Sequence, residues 1–359
     1  MRIAVDAMGG DYTPGIMIEA VQMALAEIPD LEVLLVGHTG KLAYYLERYH
    51  LPPSKRLELV HADTVVEMSE PSTTSLRAKK DSSITVCADL VKAGRAAAVV
   101  TVGHTGAAVA ATKVRLRTLP GVDRPALATL MPSITPSGKS IVIDVGANTE
   151  CTPANLAQFA IMGELYSQLM LKIERPRVGL LSVGGEDAKG NDLTKNAFQI
   201  LSKMPINFVG NVEGHDIFNG HCDVIVCDGF VGNVMLKSCE GLARATFHWM
   251  KQAFKKNAVR FAGALLAKDA FQDLKQISDS EEFGGAPLMG IKGVCIIGHG
   301  ASSPKAAKNA IRVADTFLKL GLNDKIVQRV NESGVNTPNG ALLSESAKSE
   351  QSSLQKELQ

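Results

Sequence analysis

V178-G-L-L-S-V-G-G-E-D-A-K-G-N-D-L-T-K195 and D223-V-I-V-C-D-G-F-V-G-N-V-M-L-K237 share one grammar. Each opens on a short run rich in Val, Ile and Leu, the pattern of a strand buried on both faces. Each run breaks into a glycine-rich loop carrying charged and amide side chains, and a helical pattern follows. In an open parallel sheet such loops lie at the carboxyl ends of the strands, where ligands bind. Glycine lets backbone amides approach an anion, and the helix start that follows favours negative charge. Lys189, Asn191 and Asn233 are therefore the side chains expected to face a phosphate-like group. Ordinary βα connections, which also favour Gly, Asp and Asn, are the alternative reading.

The same alternation runs through the chain. R2-I-A-V5 enters a strand at once and leaves through A-M-G-G-D11; Thr13 and Pro14 read as the cap and first residue of a helix to about Ala26. Further strands are expected at Leu31–Val36, Leu57–Val60, Ala97–Val102, Lys139–Val145 and Gly293–Ile297, about nine in all. Helices are expected from Ser83 as a cap, from Pro153 to Leu171, and from Ser303–Pro304 to a stop at Gly321. The alternation predicts an α/β fold, a three-layer α/β/α sandwich on a mostly parallel sheet. One domain over residues 1–335 and a disordered polar tail over 336–359 are expected.

Composition narrows the chemistry. The 359 residues carry a formal charge of +1 and only 5% aromatics, so neither a basic field nor a stacking platform points to nucleic acid. No apolar run reaches the roughly 18 residues of a membrane span, and the start lacks the pattern of a signal peptide. The six cysteines include no C-x-x-C pair and mostly sit in apolar runs, so free thiols in the cytoplasm are expected. No clustering of His with carboxylates calls for a metal. A G-x-G-x-x-G is absent, which weakens the reading as an NAD-dependent dehydrogenase on a similar sheet.

Taken in register, D6-A-M-G-G-D11, S75-L-R-A-K-K, G103-H-T-G-A, D144-V-G-A-N148, G-x-E-x-x-K-G at 184–190, D228-G-F-V-G-N233 and G298-H-G-A resemble the bacterial phosphate acyltransferases. The resemblance runs from residue 2 to about residue 330. It implies transfer of a fatty acyl group from acyl carrier protein to inorganic phosphate, giving acyl phosphate for phospholipid synthesis and for a glycerol-3-phosphate acyltransferase that uses it. It also implies an isocitrate/isopropylmalate dehydrogenase-like fold, a homodimer, no cofactor, and peripheral attachment to the membrane. Lys189 and Asn233 form the core of the implied site. Asp6, Gly9, Gly10, Asp11, Arg77, His104, Thr105, Asn148, Asn191, Asp228 and His299 support it. His104 stands where the family usually has Asn, and Ser182–Val183 replaces a common Asn–Ile. His299 also reads as a structural loop histidine, and Arg77, Lys79 and Lys80 as a solvated basic loop. A non-catalytic scaffold that docks acyl carrier protein is the rival from another class.

Phosphate is already a nucleophile near neutral pH, so the thioester needs positioning, charge neutralisation and donors for its oxyanion. A cysteine acyl-enzyme is the competing mechanism, with Cys151 nearest the Asn148 loop but lacking a basic neighbour. One stretch departs from the plan. Phe247, Met250, Phe254, Ala258, Phe261 and Leu265 recur at helical spacing, and no acid occurs between Gly241 and Lys268. A basic amphipathic helical hairpin over about 243–275 is expected, turning near Asn257 or Gly263. Contact with a membrane interface is expected over 243–274. A helix packed in a dimer interface is the alternative.

Overall fold

The computed structural model describes residues 1–278 and 284–335, and among these one sheet of eleven strands is found. The strands are β1 (Arg2–Asp6), β2 (Glu32–Gly37), β3 (Leu57–His61), β4 (Ala98–Thr101), β5 (Ala126–Pro132), β6 (Lys139–Ile143), β7 (Val178–Leu181), β8 (Phe208–Val212), β9 (Val224–Val226), β10 (Ala286–Met289) and β11 (Val294–Ile297). The helices of the first half are α1 (Gly15–Glu27), α2 (Thr39–Arg48), α3 (Ser72–Ala78), α4 (Ser83–Lys92) and α5 (Thr105–Leu116). Then come α6 (Pro153–Tyr166), α7 (Asp192–Leu201), α8 (Asp216–Asn219), α9 (Gly229–Phe254), α10 (Ala258–Leu266), α11 (Lys268–Ser278), α12 (Pro304–Leu320) and α13 (Leu322–Ser333). A π-helical turn, Ser167–Leu171, extends α6.

The central strands alternate side chains between two cores. Ile3, Val5, Val33 and Leu35 pack on one face with α1, α6, α12 and α13. Ala4, Leu34 and Val36 pack on the other with α4 and α5. That is the three-layer sandwich expected from the alternation. Thr152 and Asn155 form a capping box at the start of α6, and every residue of α6 after Pro153 is buried.

Strand order is β3-β2-β1-β4-β11-β10-β5-β6-β9-β7-β8. Two parallel blocks, β3 to β11 and β6 to β8, flank β10 and β5. Three successive antiparallel pairings, β11–β10, β10–β5 and β5–β6, make the blocks run in opposite directions. Their carboxyl ends therefore point in opposite directions, and the register of β5 decides at what level they stand. Ala126 and Leu127 pair with β10, whereas Ala128 to Pro132 pair with β6. Ile297 ends β11 opposite Ala286, and Leu288 pairs with Leu127, so Ala286 stands level with Thr129 when the register is carried along. Ile143 ends β6 opposite Ala128. The carboxyl ends of the two blocks therefore meet near the middle of the sheet, and β5 runs on past β10 with one edge unpaired among the described residues.

Several expectations need correction. Three strands went unread: β5, β8 and β10. The helix expected from Pro14 begins at Gly15, and the Thr13 hydroxyl donates to the Met8 and Gly10 carbonyls instead of capping it. Ser82, not Ser83, holds the cap position of α4. Gly321 does stop α12 in the left-handed conformation, but α13 follows directly. The stripe from Phe247 to Leu265 does break near Asn257, one of the two turn positions expected: α9 ends at Phe254, and the Asn257 side chain caps α10 by accepting from Arg260 N–H at 2.9 Å. The tail expected over 336–359 lies outside the described residues.

Candidate functional site

Two aspartates build the loops on which the site rests. Asp6, at the end of β1, accepts from the Met8 and Gly9 amides at 3.1 Å and from the Thr101 hydroxyl at 2.9 Å. Asp144, just past β6, accepts from the amides of Leu127, Gly146, Ala147 and Asn148 and from the Asn148 side chain. Burial raises the Asp144 carboxyl above its ordinary range, and these donors offset only part of that rise. Asn148 spends its amide hydrogens on Asp144 and on the Pro125 carbonyl. Asp6 and Asn148 are buried, so their bonds fix the loops from beneath. Gly9 packs where a Cβ would stand 2.9 Å from the Gly103 backbone, and Gly10 has φ +110°. The Asp11 amide donates to the Gly300 carbonyl, tying the loop after β1 to that after β11.

Three other expected site residues cap helices. Asn191 caps α7 by accepting from Thr194 N–H at 2.9 Å. Asp228 caps α9 by accepting from the Phe230 and Val231 amides at 3.0 Å. His104 caps α5, its Nδ1 accepting from Ala107 N–H at 3.3 Å, which leaves the ring proton on Nε2. A cap is the task for which Asn is among the best residues. His104→Asn is therefore expected to leave thermal unfolding nearly unchanged, and His104→Ala to cost about 1 kcal/mol, or about 2–4 °C in Tm.

Where the blocks meet lies a half-open cavity of about 1060 Å³. Thr105, Gly146, Asn233 and His299 border it at the level of the strand ends. Ala107 and Ala108 amides are taken by His104, leaving those of Thr105 and Gly106 at the head of α5. Asn233, in the second turn of α9, stands close over Gly146, where a Cβ would lie 3.6 Å from its Oδ1. His299 Nδ1 accepts from Ala301 N–H at 3.2 Å. The remaining walls are mainly apolar: β5 on one side and one stripe of α9 on the other. That stripe also carries Lys237 and Arg244, 2.9 Å and 4.0 Å from the Glu240 carboxylate.

The structure thus brings Thr105, Asn233 and His299 together, with Asp6, Asn148 and Asp228 holding their loops. Lys189 and Arg77 are not among the residues that border the cavity, and Lys189 is exposed. Lys189 leaves the sheet beside β9, on the loop of the neighbouring strand β7. Lys79 is paired with Glu70 and the Val65 carbonyl, so it is no free anion ligand. Cavity-wall residues such as Leu130 escaped the sequence reading, because their strand lacks the Val–Ile signature of the others. No group of three or more His, Cys, Asp or Glu side chains able to hold a metal ion is found among the described residues.

The thiols are poor nucleophiles. Burial pushes Cys151, Cys222 and Cys295 up to about 12, and raises Cys87, Cys227 and Cys239 as well. Cys151 donates its S–H to the Asn148 carbonyl. Each of the six single Cys→Ser variants is expected to keep activity, measured as thioester turnover. A folded variant with none, together with an acyl adduct trapped on that cysteine of the parent protein, would establish an acyl-enzyme.

The family described as "Fatty acid synthesis protein" matches residues 1–325. A phosphate acyltransferase of a Nitratiruptor species is 48% identical over 332 residues, covering 92% of this chain and 98% of that protein. One from Acidobacterium capsulatum is 48% identical over 324 residues, covering 90% and 95%. Among solved structures, a phosphotransacetylase from Streptococcus pyogenes superposes with a TM-score of 0.54 at 17% identity, over 92% of this chain and 94% of that one. A 4-hydroxythreonine-4-phosphate dehydrogenase from Klebsiella pneumoniae does so at 0.51 and 14%, over 90% and 99%. The last two likenesses concern the fold. The chain belongs to the fatty acid synthesis protein family, together with these phosphate acyltransferase relatives.

Proposed function

We propose that this enzyme, an acyltransferase of lipid synthesis that uses phosphate, takes its acyl group from acyl carrier protein and releases acyl phosphate. One observation carries the reading: a cavity large enough for a fatty chain, apolar along its walls and ringed at one end by helix-start amides, an asparagine and a histidine. A phosphate oxygen attacks the thioester carbon, the carbonyl becomes an oxyanion, and collapse breaks the C–S bond with the carrier thiolate leaving. Asn233 donates to the oxyanion, and the head of α5 with His299 holds phosphate. Lys189, one strand over, supplies the cation that draws phosphate in. The high thiol pKa values favour direct attack over an acyl-enzyme.

The test is to incubate the protein with an acyl carrier thioester and follow free carrier thiol. Thiol release that requires phosphate, with acyl phosphate trapped by hydroxylamine, supports the reaction. Release independent of phosphate overturns it.

The partners follow from what α9 and α10 leave uncovered. Of the 26 residues of α9, only Gly229 and Gly232 are buried, and none in α10 is. Phe230, Val231 and Val234 are exposed at the start of α9, and we place a second copy of the chain there, as a homodimer. Val259, Phe261, Leu265 and Leu266 are exposed on α10, among Lys255, Lys256 and Arg260. We place that patch against an anionic membrane surface, where an insoluble acyl phosphate would be handed on to a glycerol-3-phosphate acyltransferase. No described helix is long and apolar enough to cross a membrane, and we propose a peripheral contact. Phe261→Glu with Leu265→Glu is expected to abolish sedimentation with anionic vesicles. Unchanged vesicle binding with a dissociated dimer would make the patch a protein interface instead.

A further inference from the structure

We infer that the cavity is a measured slot for a linear alkyl chain, with Phe218 at its far end as the residue that sets the preferred chain length. The inference rests on the acyl-transfer reading above and adds to it the path of the chain. The near end is fixed by Leu127, whose amide donates to Asp144 in the loop that carries Gly146. From there β5 runs away from the reacting groups, and Leu127, Leu130 and Pro132 all border the cavity. Five residues of strand at about 3.3 Å each carry it roughly 17 Å from the thioester. On the opposite wall α9 advances in the same sense from Asn233 to Phe247, fourteen residues at about 1.5 Å each, or roughly 21 Å. Two walls of matched length, both leading away from one polar end, form a slot with a direction.

Space for the slot comes from the sheet itself. β10 starts at Ala286, so beyond that level β6 is the one strand neighbour of β5 among the described residues, and Leu130 and Pro132 of β5 border the cavity. Phe218 closes the route because its backbone is pinned to the turn after β5. The Ile134 amide donates to the Phe218 carbonyl at 3.0 Å, and the Ser140 hydroxyl donates to the Ile217 carbonyl at 2.9 Å. Those bonds hold the Phe218 backbone beside the β5–β6 hairpin, and its ring borders the cavity there while the residue stays 39% exposed. Leu130, half-buried and midway along the wall, is where added bulk would shorten the slot.

The experiment measures kcat/KM for hexanoyl, dodecanoyl, hexadecanoyl and octadecanoyl carrier thioesters with the parent protein, Phe218→Ala and Leu130→Trp. Each methylene that gains a buried place is expected to change kcat/KM by about fourfold. Phe218→Ala should raise the ratio of octadecanoyl to dodecanoyl turnover by about tenfold or more, and Leu130→Trp should lower it by as much. Phe218→Leu, a milder change, should fall between parent and Phe218→Ala, and it serves if the alanine variant does not fold. Profiles of folded variants that overlay the parent's would overturn the slot. A parent protein that transfers no acyl chain would instead overturn the reaction.

Discussion

Asn233→Ala is expected to lower kcat by about two to three orders of magnitude, the usual cost of removing one oxyanion donor. Asn233 borders the cavity over Gly146, in a helix whose start is fixed by the Asp228 cap, so its amide is held in place before substrate arrives. Truncation removes the donor without opening a core cavity, because the side chain is exposed. Circular dichroism and Tm should stay at parent values, and KM for the acyl thioester should move little, since the lost bond strengthens only as charge develops. Lys189→Ala is expected to differ, acting on KM for phosphate, because Lys189 stands outside the cavity on the neighbouring loop. Parent-like kinetics in either variant would remove that residue from the site.

Gly232→Ala should be the most damaging single methyl in this fold. In an ordinary helix the change would stabilise by up to about 1 kcal/mol. Here the new Cβ would lie 1.9 Å from the Asp144 carbonyl oxygen and 2.8 Å from the Cys227 sulfur. Neither a backbone carbonyl nor a buried thiol can step aside, so the first turn of α9 must lift off the β6 loop. The expected cost is about 3 kcal/mol, the upper end of overpacking penalties, and a fall in Tm of about 6–12 °C. Activity should fall further than stability accounts for, because Asn233 is the next residue. Gly241 on the same helix meets nothing within 4 Å of a Cβ, so Gly241→Ala should be neutral or mildly stabilising by the same melting assay. Equal melting temperatures for the two variants would show that α9 is not held against Asp144.

Strands with uniform Val and Ile runs, such as β2 and β9, were legible because burial on both faces leaves that composition whatever their neighbours are. β5 reads A-L-A-T-L-M-P and β10 reads A-P-L-M, with proline inside each and no run to mark them. β8 was hidden by Gly210, at φ +94°, beside a register shift in its pairing with β7. All three misses involve pairing partners, which a single chain does not display. The site was legible as loops but not as roles. Asn191, Asp228 and His104 sit at helix starts, where a ligand and a cap call for the same residue types, and all three serve as caps. Thr105, Asn233 and His299 followed from the same reading and do border the cavity. A backbone amide claims the side chain of each cap, and one also claims Nδ1 of His299, which borders the cavity all the same. The cavity itself was invisible, since its walls come from the unread β5 and from the face of α9 turned to it.

Because the opposed blocks meet through β5, the spacing between Thr105 and Asn233 is counted in residues of a strand that carries neither. Adding or deleting one residue in the middle of β5 would shift one half of the reaction centre past the other by about 3.3 Å and turn each later side chain to the opposite face. Chemistry that tolerates errors well under an ångström is thereby quantised by hydrogen-bond pairing. Ala126–Pro132, with no reactive group among its seven residues, is therefore a segment whose length sets the reaction centre.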